Sequence, residues 1–186
     1  SIPVINALTD YCHPCQVLAD LMTIREYKGS FSGLKMCFIG DGNNMANSLM
    51  VGALKMGMNF SIACPEGYRP DAELTKWAEE FGDKFEITSD VKKAAKDADV
   101  LYTDVWASMG QEGEKALREK SFAGFRIDAE VMECAKKDAM VLHCLPAHRG
   151  EEISEDVLEA HADDIFDEAE NRLHAQKAVM CKLMRD

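Results

Sequence analysis

The sequence predicts a doubly wound α/β domain, a parallel sheet covered by helices on both faces in three layers. Three observations predict it. Short apolar runs carry no polar alternation, as strands buried on both faces should be. They alternate with longer amphipathic stretches of helical period, the order of repeated strand and helix units. The chemistry-bearing motifs fall just after the runs, where a doubly wound sheet gathers its ligands.

The strands expected in order are Lys35 to Gly40, Phe60 to Cys64, Phe85 to Thr88, Val100 to Asp104 and Met140 to Leu145. The first helix runs from Pro14 to Tyr27, with Val17, Leu18, Leu21, Met22 and Ile24 along one face. A second runs from Asn44 to Lys55, where Met45, Leu49, Val51 and Leu54 recur. Helical period continues at Ala72 to Phe81, Val91 to Ala98, Gly113 to Lys120, Ser154 to His161 and Glu168 to Met184. The segment from Cys64 to Pro70 is a loop, and no repeat or long linker divides residues 1–186, so a single domain is expected.

A chain of 186 residues can bury about 70% of its unfolded surface without disulfides. The net charge of -12 repels a phosphate backbone, which argues against a nucleic-acid partner. No apolar run approaches the roughly 20 residues needed to span a bilayer. The opening residues have no basic stretch followed by an apolar one, so no secretory signal is read and a reducing, cytoplasmic setting is expected. Of seven cysteines several sit in apolar runs, Cys37 among them, and are expected to be reduced core residues.

Gly40-Asp41-Gly42-Asn43-Asn44-Met45 is a tight turn opening a helix whose first amides could face an anion. A dinucleotide fingerprint would need glycine at Met45 and an acidic residue closing the second strand, and has neither. The turn can equally be a ligand-free strand-to-helix connection. After the fourth strand, Asp104 and Ser108 with the intervening backbone suit an amino acid's ammonium and carboxylate, although both could simply cap the next helix. After the fifth strand come His143, Cys144, His148 and Arg149. A zinc site is disfavoured there, because strand neighbours His143 and Cys144 point to opposite faces.

Cys12-His13-Pro14-Cys15-Gln16 has thiols spaced as in disulfide exchange at a helix start. The strand and small domain that accompany that chemistry are missing. His13 and Gln16 instead lie one turn apart, with Pro14 where a missing amide is tolerated, a pairing suited to a small polar ligand. Glu168 to Arg172 is expected to open the last helix, its carboxylates favoured by the helix dipole. A capped, solvated start accounts for the glutamates better than for Arg172.

Taken together and in order, His-Pro-x-Gln, Gly-Asp-Gly-Asn-Asn, Asp-x-Trp-x-Ser-Met-Gly, His-Cys-Leu-Pro and Glu-Asn-Arg resemble the ornithine carbamoyltransferase family, from about Ile2 to the end. His-Pro-x-Gln is shared with aspartate enzymes. Ser108-Met109-Gly110 and His143-Cys144-Leu145-Pro146 are the ornithine-type versions, and the putrescine and acetylornithine relatives differ there. The resemblance implies a Rossmann-like, ornithine-binding domain. In it Leu8, Asn44, Asp104, Ser108 and Met109 bind ornithine, Asp104 and Ser108 at the α-amino end and Asn44 with the Met109 backbone at the carboxylate. His13, Gln16, Cys144, Leu145 and Arg172 contact the carbamoyl group, His13 and Arg172 polarising its oxygen, with Cys144 beside the attacking amine. His13, Cys144, Arg172 and Asp104 are thereby the implied catalytic set.

The implied reaction joins L-ornithine and carbamoyl phosphate into citrulline and phosphate with no metal and no organic cofactor, in a homotrimer or a multiple of trimers. The family's Ser-Thr-Arg-Thr-Arg phosphate loop has no counterpart in residues 1–186 and belongs to a preceding half of comparable size. The expectation is that this chain alone is inactive or nearly so. Two rival readings stay open: a carbamoyltransferase for another amine or amino acid, and a non-catalytic amino-acid-binding domain.

Overall fold

Each of the five apolar runs becomes a parallel strand in the computed structural model, which describes residues 2–107, 113 and 115–184. The strands are β1 Lys35–Ile39, β2 Asn59–Ala63, β3 Phe85–Thr88, β4 Val100–Thr103 and β5 Met140–His143. They lie in the order β3-β2-β1-β4-β5, with every pairing parallel. The order reverses between β1 and β4. That reversal opens a crevice at the carboxyl ends of the strands, where loops leave in opposite directions.

The helices are α1 Pro14–Lys28, α2 Asn44–Lys55, α3 Ala72–Glu79, α4 Val91–Ala95, α5 Lys115–Ser121, α6 Ala129–Cys134, α7 Glu155–Ala160 and α8 Ala162–Leu183. A short 3-10 turn, Gly82–Lys84, precedes β3. Successive strand residues point to opposite faces. Met36 and Phe38 therefore join one apolar cluster with Val17, Ile24, Leu49 and Met50, while Cys37 and Ile39 join another with Ala94, Val131, Val157 and Ile165. Those two clusters are the interfaces of the three layers.

Three details depart from the sequence reading. The last helix begins at Ala162, not Glu168, so Glu168 is in mid-helix and fully buried rather than a solvated start. Leu18 on α1 is 44% exposed, because it is a quarter turn away from the inward line of Val17, Leu21 and Ile24. α6 was not expected; Asp128 caps it through the Val131 amide at 3.2 Å.

The inner edge of α1 is polar. Gln16, Asp20 and Thr23 recur at helical spacing and are all buried, against Glu168 and Asn171 of α8, also buried. Asn171 Nδ2 donates to Thr23 Oγ1 at 3.0 Å and Gln16 Nε2 to Glu168 Oε1 at 3.1 Å. A buried polar seam of this kind is stable only because its members satisfy one another.

Candidate active site

The turn after β1 is shaped by a close approach. A Cβ on Gly42 would lie 2.2 Å from Pro70 N and 2.3 Å from the Arg69 carbonyl carbon, so only glycine fits. The Gly42 amide donates to the Tyr68 carbonyl at 2.9 Å, which ties the turn to the 64–70 loop. Asn43 then caps α2, its Oδ1 accepting from the Met45 and Ala46 amides at 2.9 and 3.2 Å. Those two amides are thereby used inside the protein, as in the ligand-free reading of this turn.

α2 next presents Asn44, Asn47 and Ser48, neighbours on one helix face. Asn44 Nδ2 donates to the Thr9 carbonyl at 2.8 Å, Asn47 Nδ2 to the Tyr11 carbonyl at 3.1 Å, and the His13 amide to Ser48 Oγ at 2.8 Å. The 8–13 segment is thus laid across the end of β1, with His13 entering α1 through Pro14 at its first turn.

A cavity of about 430 Å3 opens there, lined by Leu8, His13, Asn44, Asp104, Cys144, Leu145 and Arg172 among others. Asp104 leaves β4, 8% exposed, and its carboxylate is held from three sides. Oδ2 accepts from Asn43 Nδ2 at 2.9 Å, and Oδ1 from the Val105 amide at 2.8 Å and the Cys144 thiol at 3.2 Å. Burial, then the Asp104 and Glu168 carboxyls, push the Cys144 thiol well above its ordinary pKa. At neutral pH Cys144 is therefore a thiol that donates, not a thiolate.

Leu145 has φ 53, a left-handed conformation uncommon for a leucine. Its amide donates to His143 Nδ1 at 2.9 Å. That leaves the His143 proton on Nε2, 3.1 Å from Glu152 Oε1, both side chains being fully buried. The pair fixes the loop that brings Cys144 and Leu145 to the cavity.

Burial first, and the Arg172 guanidinium second, lower the His13 pKa, against the opposing pull of the Ala7 carbonyl and Asp104. A neutral imidazole has one N–H, and with its Nδ1 unpartnered among the described residues it can lend that donor, beside the permanent Arg172 cation, to one oxygen in the cavity. Arg172 is itself aimed: Nε donates to Gln176 Oε1 at 3.1 Å and Nη1 to Gln16 Oε1.

Of the sequence-predicted residues, Leu8, His13, Asn44, Asp104, Cys144, Leu145 and Arg172 share one cavity. Gln16 does not line it. It is 1% exposed and sits behind Arg172 with both ends of its carboxamide engaged. Ser108 and Met109 lie outside the described residues. Asn43, Asn47 and Ser48 are the site-building residues that sequence reasoning passed over.

All seven cysteines are free, and burial raises Cys37 to about 12 and Cys64 to about 11. Among the described residues, His148, Glu151 and Glu152 could bring three metal-ligating atoms within 4.8 Å of one another, off the cavity wall. Among the same residues, no helix is long and apolar enough to cross a membrane.

Comparison with known proteins places the chain in a family. Residues 32–183 match the family described as aspartate/ornithine carbamoyltransferase, Asp/Orn binding domain, and residues 1–26 match its carbamoyl-P binding domain. The chain is 58% identical over 185 residues to ornithine carbamoyltransferase of Methanosarcina mazei, covering 100% of this chain and 61% of that protein. It is 55% identical to that of Thermococcus kodakarensis, covering 99% and 60%. The solved ornithine carbamoyltransferase from Pyrococcus furiosus superposes with a TM-score of 0.91 at 52% identity, covering 99% of this chain and 60% of that one. The structure from Thermus thermophilus gives 0.88 at 42% identity, covering 100% and 60%. The chain thus spans about 60% of the length of these relatives. With a family model matching residues 32–183 and high identity and fold likeness over nearly its whole length, it belongs to the aspartate/ornithine carbamoyltransferase family.

Proposed function

We propose that this chain is the acceptor-binding part of an ornithine carbamoyltransferase, which moves the carbamoyl group of carbamoyl phosphate to the δ-amine of L-ornithine and releases citrulline and phosphate. The observation that carries the reading is the single cavity in which a carboxylate, Asp104, faces a polarising pair, His13 and Arg172, with the Cys144 thiol and Leu145 on the same wall.

In this reading Asp104 takes the α-ammonium of ornithine together with Ser108, Asn44 and the Met109 backbone take its carboxylate, and Leu8 covers the aliphatic chain. The neutral δ-amine attacks the carbonyl carbon, the C–O bond to phosphate breaks, and the amine's surplus proton leaves with the phosphate. His13 and Arg172 donate to the oxygen that becomes negative. Such preorganised donors are worth about 3 to 4 kcal/mol each in acyl transfer. No electron is transferred, so the chemistry needs only placement and charge complementarity.

The match of residues 1–26 to the carbamoyl-P binding domain supports assigning His13 to the carbamoyl side, since His13 lies inside it. The phosphate itself needs a cradle that a family partner half would supply. By family likeness the whole enzyme is a homotrimer or a multiple of trimers in the cytoplasm, a setting that suits seven free thiols.

The test compares citrulline formation by this chain alone with that of the chain joined behind the carbamoyl-P binding half of a relative such as the Methanosarcina mazei enzyme. Activity only in the joined protein, with ornithine and not with aspartate or putrescine, is expected. Activity of the chain alone would remove the missing-cradle argument. A joined protein that binds ornithine but turns over no acceptor would favour a binding module.

A further inference from the structure

Behind Arg172 lies a carboxyl pair that the reaction does not touch. Asp20 on α1 and Glu168 on α8 are both 0% exposed, and their carboxyl groups face each other across one amide nitrogen. Gln16 Nε2 bridges them, donating to Asp20 Oδ1 at 2.9 Å and Glu168 Oε1 at 3.1 Å. Glu168 also accepts from the Tyr102 hydroxyl at 2.9 Å and, through Oε2, from the His143 amide at 2.8 Å.

Two carboxylates in contact in a dry interior cannot both stay ionised. The donors decide which one keeps the charge. Glu168 accepts from Gln16, Tyr102 and His143, whereas Asp20 accepts only from Gln16, and its Oδ2 receives no donor from the described residues. The arrangement is satisfied when Asp20 carries the proton and gives it to Glu168. Burial and the facing Glu168 carboxylate raise Asp20 in the same sense, against the pull of Gln16 and Arg172. The groups facing the pair are Gln16 from α1, Tyr102 from β4, the His143 amide and the Cys144 thiol at the end of β5, and Arg172 from α8.

The consequence falls on Gln16. With both amide hydrogens committed to the two carboxyls, its carboxamide can present only Oε1 to Arg172. We propose that Asp20 is a positioning residue that acts as a neutral carboxylic acid, sharing its proton with Glu168 so that Gln16 holds Arg172 on the carbamoyl oxygen.

This rests on the carbamoyl-transfer reading, so the joined protein described above serves as parent, and its own turnover tests that reading separately. Asp20→Asn keeps the polarity, with a carbonyl for Gln16 and an amide hydrogen for Glu168. It is expected to retain kcat and the KM for carbamoyl phosphate within about threefold. Asp20→Leu removes the bond to Glu168 and frees Gln16. It is expected to lose roughly 10- to 100-fold in kcat, the range of a lost charge-assisted hydrogen bond, with the ornithine KM little changed.

Difference infrared spectra of the parent and Asp20→Asn should show a protonated-carboxyl stretch at neutral pH that only the parent has. This signal reads the proton even if Asp20→Leu fails to fold or the parent turns over no substrate. Absence of that stretch, or an Asp20→Asn variant that melts like the parent yet is as slow as Asp20→Leu, overturns the proposal.

Discussion

The Cys144 thiol donates to Asp104 Oδ1 at 3.2 Å, across the ends of two neighbouring strands. A thiol in that position is held protonated, by burial first and then by the Asp104 and Glu168 carboxyls. It follows that Cys144 is a slow target for alkylation, since only the thiolate reacts. With iodoacetamide at mildly alkaline pH, peptide mass spectrometry should find the exposed Cys181 modified well before Cys144. Equal rates at the two cysteines would show that Asp104 does not hold the thiol.

Asn43 links two functions that a single substitution can separate. Its Oδ1 caps α2, and its Nδ2 holds Asp104 Oδ2 at 2.9 Å. Asn43→Asp keeps the capping oxygen but sets a second carboxylate against Asp104. Asn43→Ala loses both bonds and should cost about 1 kcal/mol or more of stability through the cap alone. The expected result is a raised ornithine KM for both variants, with the loss of stability in Asn43→Asp coming from the facing carboxylates and not from the cap. An unchanged ornithine KM in Asn43→Ala despite a lowered melting temperature would mean that Asn43 acts on the helix only.

The contrast between Asn43 and Asn44 shows what the sequence could and could not disclose. The five strands were legible because both faces of each are buried, which leaves continuous apolar runs such as Met36 to Ile39. Strand ends locate the site, so Asp104 and Cys144 could be named in advance. Which of two adjacent asparagines caps and which turns outward depends on a turn fixed by Arg69 and Pro70, remote in sequence from Gly42. The seam of Gln16, Asp20, Thr23 and Glu168 was hidden for another reason. Polar residues at helical spacing read as a solvated face, and only the partner helix turns them inward. The acidic run Asp163, Asp164 and Asp167 likewise disguised the true start of α8 at Ala162.

Gly42 should tolerate no side chain. A Cβ there would meet backbone atoms of Arg69 and Pro70 at 2.2 to 2.3 Å, and backbone cannot swing aside as a flexible side chain can. Gly42→Ala is expected to move the turn that carries Asn43 and Asn44, which weakens acceptor binding as well as stability. Gly57→Ala is a control: it has open space around it and should leave the ornithine KM unchanged, although its φ of 82 adds backbone strain. Equal ornithine KM values in Gly42→Ala and the parent would argue against the close approach.

Arg118 and Asp41 form an ion pair of 2.6 Å with both side chains largely buried, and Arg118 Nη1 also donates to the Trp106 carbonyl at 2.8 Å. It joins the turn after β1 to the loop after β4. Losing a hydrogen bond between charged, largely buried groups costs about 1.5 to 3 kcal/mol. Arg118→Met keeps the stem and loses the charge, so a large drop in the denaturant midpoint is expected in equilibrium unfolding. A change no greater than that of an exposed substitution would mean that the pair contributes little to the fold.

His13 supplies the pH dependence. Burial and then Arg172 lower its pKa below the ordinary 6.5, so the folded protein binds the His13 proton less readily than the unfolded chain does. The neutral ring's contribution to stability is present above pH 6.5 and is lost as pH falls from 6.5 through the folded value. Catalysis should follow the same window. A protonated His13 sets a second cation beside Arg172, and the repulsion between them works against holding both on one oxygen. The acid limb of kcat/KM for carbamoyl phosphate is therefore expected below pH 6.5 in the joined protein. His13→Gln retains an N–H donor but has no titration, so subtracting its profile isolates the His13 contribution from other groups and from the substrate. A parent limb at or above 6.5 that His13→Gln abolishes would show that the ring is not depressed; a limb that survives in His13→Gln belongs to another group.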